Sequence, residues 1–171
     1  MNKLLIQCDY TILDNYKYKI LKDNQPYLNA EVDFYSPVVS FLKGNKIYYS
    51  KISVKDLEEK EVVEIYKHHQ GPIRDTLFSI ILDNITYNVR EGRNFKIPDL
   101  YIRTNLGKLV IWGKINSQEF EIFLNGEPVA SIKGSVKSTK TYILNYLEDY
   151  SSLEKLFLSI ALILDNLYHD Y

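Results

Sequence analysis

Through most of the chain apolar and polar residues alternate in short runs, and each run stops at Asn, Asp, Gly or Pro. A period of two puts every second side chain on one face of a strand, so each run predicts a strand with one buried side. The runs are Leu4 to Asp9, Tyr18 to Lys22, Tyr27 to Phe34, Ile47 to Ile52, Val62 to Lys67, Leu77 to Leu82 and Ile85 to Arg90. Two hairpins follow, Tyr101 to Val110 and Phe120 to Val129, and then a last strand from Lys140 to Leu147. The second hairpin turns at Asn125-Gly126, the strongest short hairpin signal, and Asp83-Asn84 predicts another tight turn. The two hairpins and Tyr18 to Tyr27 share a pattern: an aromatic, an Ile, a polar turn and a returning strand. Their spacing is irregular, so they repeat a hairpin and not a solenoid unit. One stretch breaks the alternation: Ser53 with Asp56 reads as a helix cap, and the charged run to Glu61 predicts a short exposed helix there.

The pattern changes completely at Ser151. Between Lys155 and Asp165 lie nine residues of which only Ser159 is polar. Ser151-Ser152-Leu153-Glu154 has the form of a capping box, and no Gly or Pro interrupts the run behind it. A helix apolar on every side must be enclosed on every side. Lipid does not suit it, because nine residues rise only ~14 Å against a hydrocarbon layer of ~30 Å. About twelve short strands form a sheet that closes or splits. The expected fold is therefore mostly β: a closed antiparallel barrel around a central C-terminal helix, with residues 1–171 forming one domain.

Bulk properties narrow the function more than they specify it. The net charge is −1, which argues against bare nucleic acid as a partner. The 17 Lys against 4 Arg, with abundant Asn, Ile and Tyr, fit an AT-rich genome more simply than a phosphate-binding design. One cysteine, Cys8, forbids an intramolecular disulfide and suits a reducing compartment. The first residues hold too short an apolar run for a secretory signal, and no run is long enough to span a membrane. A cytoplasmic monomer is the expectation.

Glu121-Ile122-Phe123-Leu124-Asn125-Gly126-Glu127-Pro128-Val129-Ala130-Ser131-Ile132-Lys133-Gly134, then a strand, then Leu162-Ile163-Leu164-Asp165-Asn166-Leu167-Tyr168-His169-Asp170, resembles the LURP-one-related family. Its members close an apolar helix on Asp-Asn-x-x-His-Asp. The likeness runs from about Ile85 to Tyr171 and is looser through the N-terminal hairpins, while Ser53 to Arg74 departs from it. The resemblance implies the fold of the Tubby C-terminal domain and of phospholipid scramblases, a twelve-stranded barrel threaded by a hydrophobic helix. In Tubby the barrel surface binds phosphoinositides through basic residues. No such motif matches here residue by residue, so no binding residue is carried over.

Candidate chemistry is sparse. His68-His69 with Asp75 offers two adjacent imidazoles that a strand would point to opposite faces, which suits a solvated strand end better than a metal site. Cys8 has no evident base beside it and reads as a structural thiol. Arg90, Arg93 and Lys96 form one basic stretch, and Lys133, Lys137 and Lys140 form another. Both are candidates for anionic headgroups, against the plainer reading of scattered surface charge. Asp165, Asn166 and His169 close the helix and read as a polar latch to the barrel rim. No glycine-rich phosphate loop, Ser-His-Asp signature or role-bearing carboxylate pair stands out, and no cofactor or metal is expected. A non-enzymatic module that binds anionic lipid at a membrane surface leads. A protein-interaction scaffold is the alternative, and an enzyme with a site at the barrel mouth near Asp165 and His169 stands third.

Overall fold

Among the described residues twelve strands precede a C-terminal helix. They are β1 (Asn2–Asp9), β2 (Lys17–Lys22), β3 (Gln25–Phe34), β4 (Tyr48–Lys55), β5 (Glu61–His68) and β6 (Thr76–Leu82). β7 (Ile85–Glu91), β8 (Asp99–Thr104), β9 (Gly107–Lys114), β10 (Glu119–Leu124), β11 (Glu127–Ser135) and β12 (Thr141–Tyr146) complete the set. A 3-10 segment, Glu148–Leu153, leads into helix α1 (Glu154–Tyr168). The computed structural model describes residues 1–9, 17–34, 48–68, 76–92, 98–135 and 140–168.

Each strand pairs antiparallel with its sequence neighbours, and β1 pairs β12, which closes the barrel. Closure gives every described strand a neighbour on each side, which blunts the usual route to edge-to-edge aggregation. The alternation read from sequence is the burial pattern: Ile20 and Tyr18, Ile52 and Val54, and Tyr142, Leu144 and Tyr146 all point inward and are buried. Inside, α1 is enclosed on every side, with Leu156 through Asn166 buried without a break.

The barrel has two unlike rims. At one, here the turn rim, two-residue turns join β2 to β3, β6 to β7, β8 to β9 and β10 to β11. Asp23-Asn24, Asp83-Asn84 and Asn125-Gly126 hold positive φ at both central residues, the twist that a two-residue hairpin needs. The connections after β1, β3, β5, β7, β9 and β11 leave from the opposite rim, here the far rim. α1 starts at the turn rim, where β12 ends, and finishes at the far rim, where β2 and β12 begin.

All three copies of the repeated hairpin form, and two of them share a bulge. Register shifts beside Ile20/Leu21 and beside Ile122/Phe123 place Pro26 and Pro128 at equivalent bulges, where a proline forfeits no ladder bond. In the third copy β8 and β9 pair without a shift, and Tyr101 lies outward under the Lys108 ammonium, 4.6 Å from its ring centroid.

Two local expectations are corrected. There is no helix over Ser53 to Glu61, because β4 runs to Lys55 and β5 starts at Glu61. Asp56 accepts from the Glu58 and Lys60 amides at 3.0 and 2.9 Å and closes a five-residue turn instead. Nor does Ser151-Glu154 form a capping box. Ser151 Oγ donates to the Glu148 carbonyl within the 3-10 segment, and the Glu154 carboxylate turns into the barrel.

Candidate functional site

Each end of α1 carries a carboxylate turned into the wall. Glu154 and Asp165 are eleven residues apart, about three helical turns, so they share a face some 16 Å from end to end. Tyr18 to Lys22 on β2 and Tyr142 to Tyr146 on β12 each span four residues, or ~13 Å. The wall thus repeats its donors at nearly the interval of the helix. At the turn rim Glu154 accepts from Lys22 Nζ at 2.7 Å and from the Tyr146 hydroxyl. Its hydrogen bond holds Lys22 above the ordinary lysine pKa, and burial followed by the same carboxylate raises Tyr27.

At the far rim Asp165 accepts from Tyr18 and Tyr142 hydroxyls at 2.5 Å each and faces Lys140 Nζ at 2.6 Å. The side chains of Lys140 and Asp165 are each 1% exposed. This corrects the sequence assignment of Lys140 to a surface patch: its ammonium is enclosed in the barrel as the counter-ion of the helix. Asn166 Oδ1 accepts from Lys67 Nζ at 2.7 Å and ties the helix to β5 as well. Asp165 and Asn166 therefore do bind helix to wall. His169, the third member of that group, lies outside the described residues.

Of the remaining basic candidates, Arg90 and Lys133 are described, and Arg93, Lys96 and Lys137 lie outside the described residues. Arg90 is half-buried near the end of β7, out of phase with the inward Val89. Lys133 is 68% exposed near the end of β11 and meets Glu119 Oε1 at 2.8 Å. That hydrogen bond raises Lys133 above and lowers Glu119 below their ordinary pKa values. β7 and β11 run parallel, so both cations sit toward the far rim, four strand spacings or ~19 Å apart around the wall. Lys17, at the start of β2, and Lys114, at the end of β9, are exposed at the same rim. Sequence reasoning passed over both, although each is out of phase with an inward neighbour.

Two grooves mark the outer wall among the described residues. One of about 760 Å³ crosses β9 to β12, where the cross-strand row Trp112, Glu121, Ser131 and Asn145 is flanked by Lys114 and Lys133. Trp112 leans on Phe123 there, with ring centroids 5.2 Å apart. The other, about 280 Å³, crosses β2 to β4 beside Lys17, Lys19 and Lys55.

A third constellation was not visible in sequence, because register alone assembles it. His68 Nε2 lies 2.7 Å from Ser79 Oγ, and Ser79 donates to Asn88 Oδ1 at 3.0 Å. Donor and acceptor roles between the imidazole and Ser79 follow the tautomer of His68. The chain is a cross-strand polar ladder over β5, β6 and β7. Among the described residues no group of three His, Cys, Asp or Glu side chains is placed to hold a metal ion, and Cys8 is buried. No helix among them is long and apolar enough to cross a membrane. Compared with family models, curated proteins and solved structures, the chain matches none.

Proposed function

We propose that this protein is a non-enzymatic binding module whose far rim meets an anionic membrane surface through acidic lipid headgroups. The observation that carries the reading is the arc of cations at that rim: Lys17, Lys133, Lys114 and Arg90. The arc covers seven strand spacings, ~34 Å, too wide for one headgroup and well matched to an extended charged plane. The filled interior adds support, since the helix occupies the space in which barrels usually hold a small ligand. The resemblance to the LURP-one-related family, and through it to lipid-binding Tubby-like barrels, points the same way.

Binding of this kind is weak and salt-sensitive. Each cation near a negative leaflet contributes about 1 kcal/mol, and Glu119 and Glu91 offset part of the arc. Co-sedimentation with vesicles of zwitterionic lipid alone, and with added anionic lipid, tests the reading. Wild type should pellet only with the anionic vesicles and only at low salt. The triple variant Lys17→Glu, Arg90→Glu, Lys133→Glu should bind at least roughly a hundredfold more weakly, about 3 kcal/mol. Sedimentation indifferent to lipid charge, or a triple variant that binds as wild type does, overturns it.

A further inference from the structure

The turn rim has a different character, and nothing in the lipid reading uses it. Among the described residues five large hydrophobic side chains are strongly exposed: Met1 78%, Leu57 59%, Ile85 53%, Leu106 48% and Leu147 43%. All five stand at this rim. Leu57 is in the β4–β5 turn, Ile85 follows the β6–β7 turn, Leu106 is in the β8–β9 turn, and Met1 and Leu147 flank the β1–β12 seam. Single exposed hydrophobics are ordinary, but their collection at one end of a molecule marks an interaction surface. Turn geometry does not require them, since the positive φ values at this rim fall on Asp, Asn and Gly residues and on Glu59, and on none of these five.

The charge around these tips selects the partner. The segments joining elements at this rim, 23–24, 56–60, 83–84, 105–106, 125–126 and 147–153, carry seven carboxylates and one lysine. A second copy meeting rim to rim would set carboxylates against carboxylates. An anionic leaflet would repel them too. A basic surface with its own apolar stripe satisfies both the tips and the acids. The spacing adds a shape. Leu57, Ile85 and Leu106 stand on three consecutive hairpins, two strand spacings or ~10 Å apart. On a helix, residues i and i+7 are also ~10 Å apart. We infer that the turn rim is a docking surface for a basic amphipathic helical segment of another protein, with Leu57, Ile85 and Leu106 meeting its apolar stripe. This surface shares no residue with the cationic rim and stands or falls separately from it.

The probe is a synthetic helical peptide with Leu at i, i+3, i+4 and i+7 spacing and Lys elsewhere, titrated into isotope-labelled full-length protein. Amide shifts should centre on the tips at Leu57, Ile85 and Leu106, and the matching peptide with Glu for Lys should give none. The triple variant Leu57→Ser, Ile85→Thr, Leu106→Asn should bind at least tenfold more weakly, its fold checked by melting. A charge-only variant, Glu58→Gln with Asp83→Asn, leaves the apolar tips in place and should weaken binding severalfold and flatten its salt dependence. Absent binding, shifts at the far rim or along the wall, or variants that bind as wild type does would overturn the inference. So would the same tips mediating attachment to zwitterionic vesicles or a concentration-dependent dimer, each lost in the triple variant.

Discussion

The pair Asp165 and Lys140 permits a quantitative test of how the helix is held. Asp165→Asn keeps the shape of the side chain and removes its charge, leaving an ammonium 1% exposed that has lost its pairing with Asp165. Breaking a buried pair from one side costs about 3–5 kcal/mol, because the remaining charge keeps its desolvation penalty. At ~2–4 °C per kcal/mol for a chain of this size, the melting temperature should fall by about 6–20 °C. Lys140→Met should cost less, since the Tyr18 and Tyr142 hydroxyls still donate to the carboxylate. Charge-assisted bonds of that kind contribute about 1.5–3 kcal/mol each. The double variant Asp165→Asn, Lys140→Met removes both charges and should be more stable than Asp165→Asn alone. Urea denaturation of the four proteins, followed by circular dichroism, closes the cycle. If the two losses simply add, or if Asp165→Asn costs under about 1 kcal/mol, the pair does not anchor the helix.

Two further outcomes follow from neighbouring features. Leu162 is 1% exposed at the middle of α1, so Leu162→Ala should lose about 2–5 kcal/mol in the same denaturation series, and Leu162→Asp should yield no cooperative melt. On the outer wall burial opposes charge on both Lys51 and Glu64. Hydrogen bonds outweigh it, so Lys51 lies above its ordinary value and Glu64 below the usual 4.5. A carboxylate whose folded pKa is lowered adds stability above its unfolded pKa and loses it as pH falls through the folded one. Wild type should therefore lose slightly more stability than Glu64→Gln on acidification below about pH 4.5, by less than about 1 kcal/mol; equal acid sensitivity would remove the pair from the account.

Strand number, closure and the buried helix were legible because period-two alternation and Asn, Asp and Gly turns are local signals that burial reinforces. The failures came where one residue serves two local motifs. Asp56 can cap a helix or close a turn, and the strong strand on each side decided for the turn. Glu154 can reach back to Ser151 or across to Lys22 and Tyr146, and the partners on the wall won. Lys140 was misplaced on the surface because lysine is usually solvated. The corrective signal was present, since Lys140 is in phase with the inward Tyr142, Leu144 and Tyr146. The rims were not legible at all: which turns share an end of the barrel depends on strand direction and closure, not on any short stretch. Asp165 with Tyr18, and His68 with Ser79, likewise meet only through register.

The seam between β1 and β12 has a consequence for how the molecule is made. Asn2 pairs with Tyr146, so the barrel cannot close until β12 has been made, and the helix that fills it comes later still. At about 5–20 residues per second of synthesis, eleven strands spend several seconds with their inner faces unfilled. Pairing across so long a separation is also slow in the finished chain. The nascent barrel is therefore exposed to misassociation for a period set by the segment from Thr141 to Tyr168, and chaperone dependence should be read from how quickly those residues are delivered.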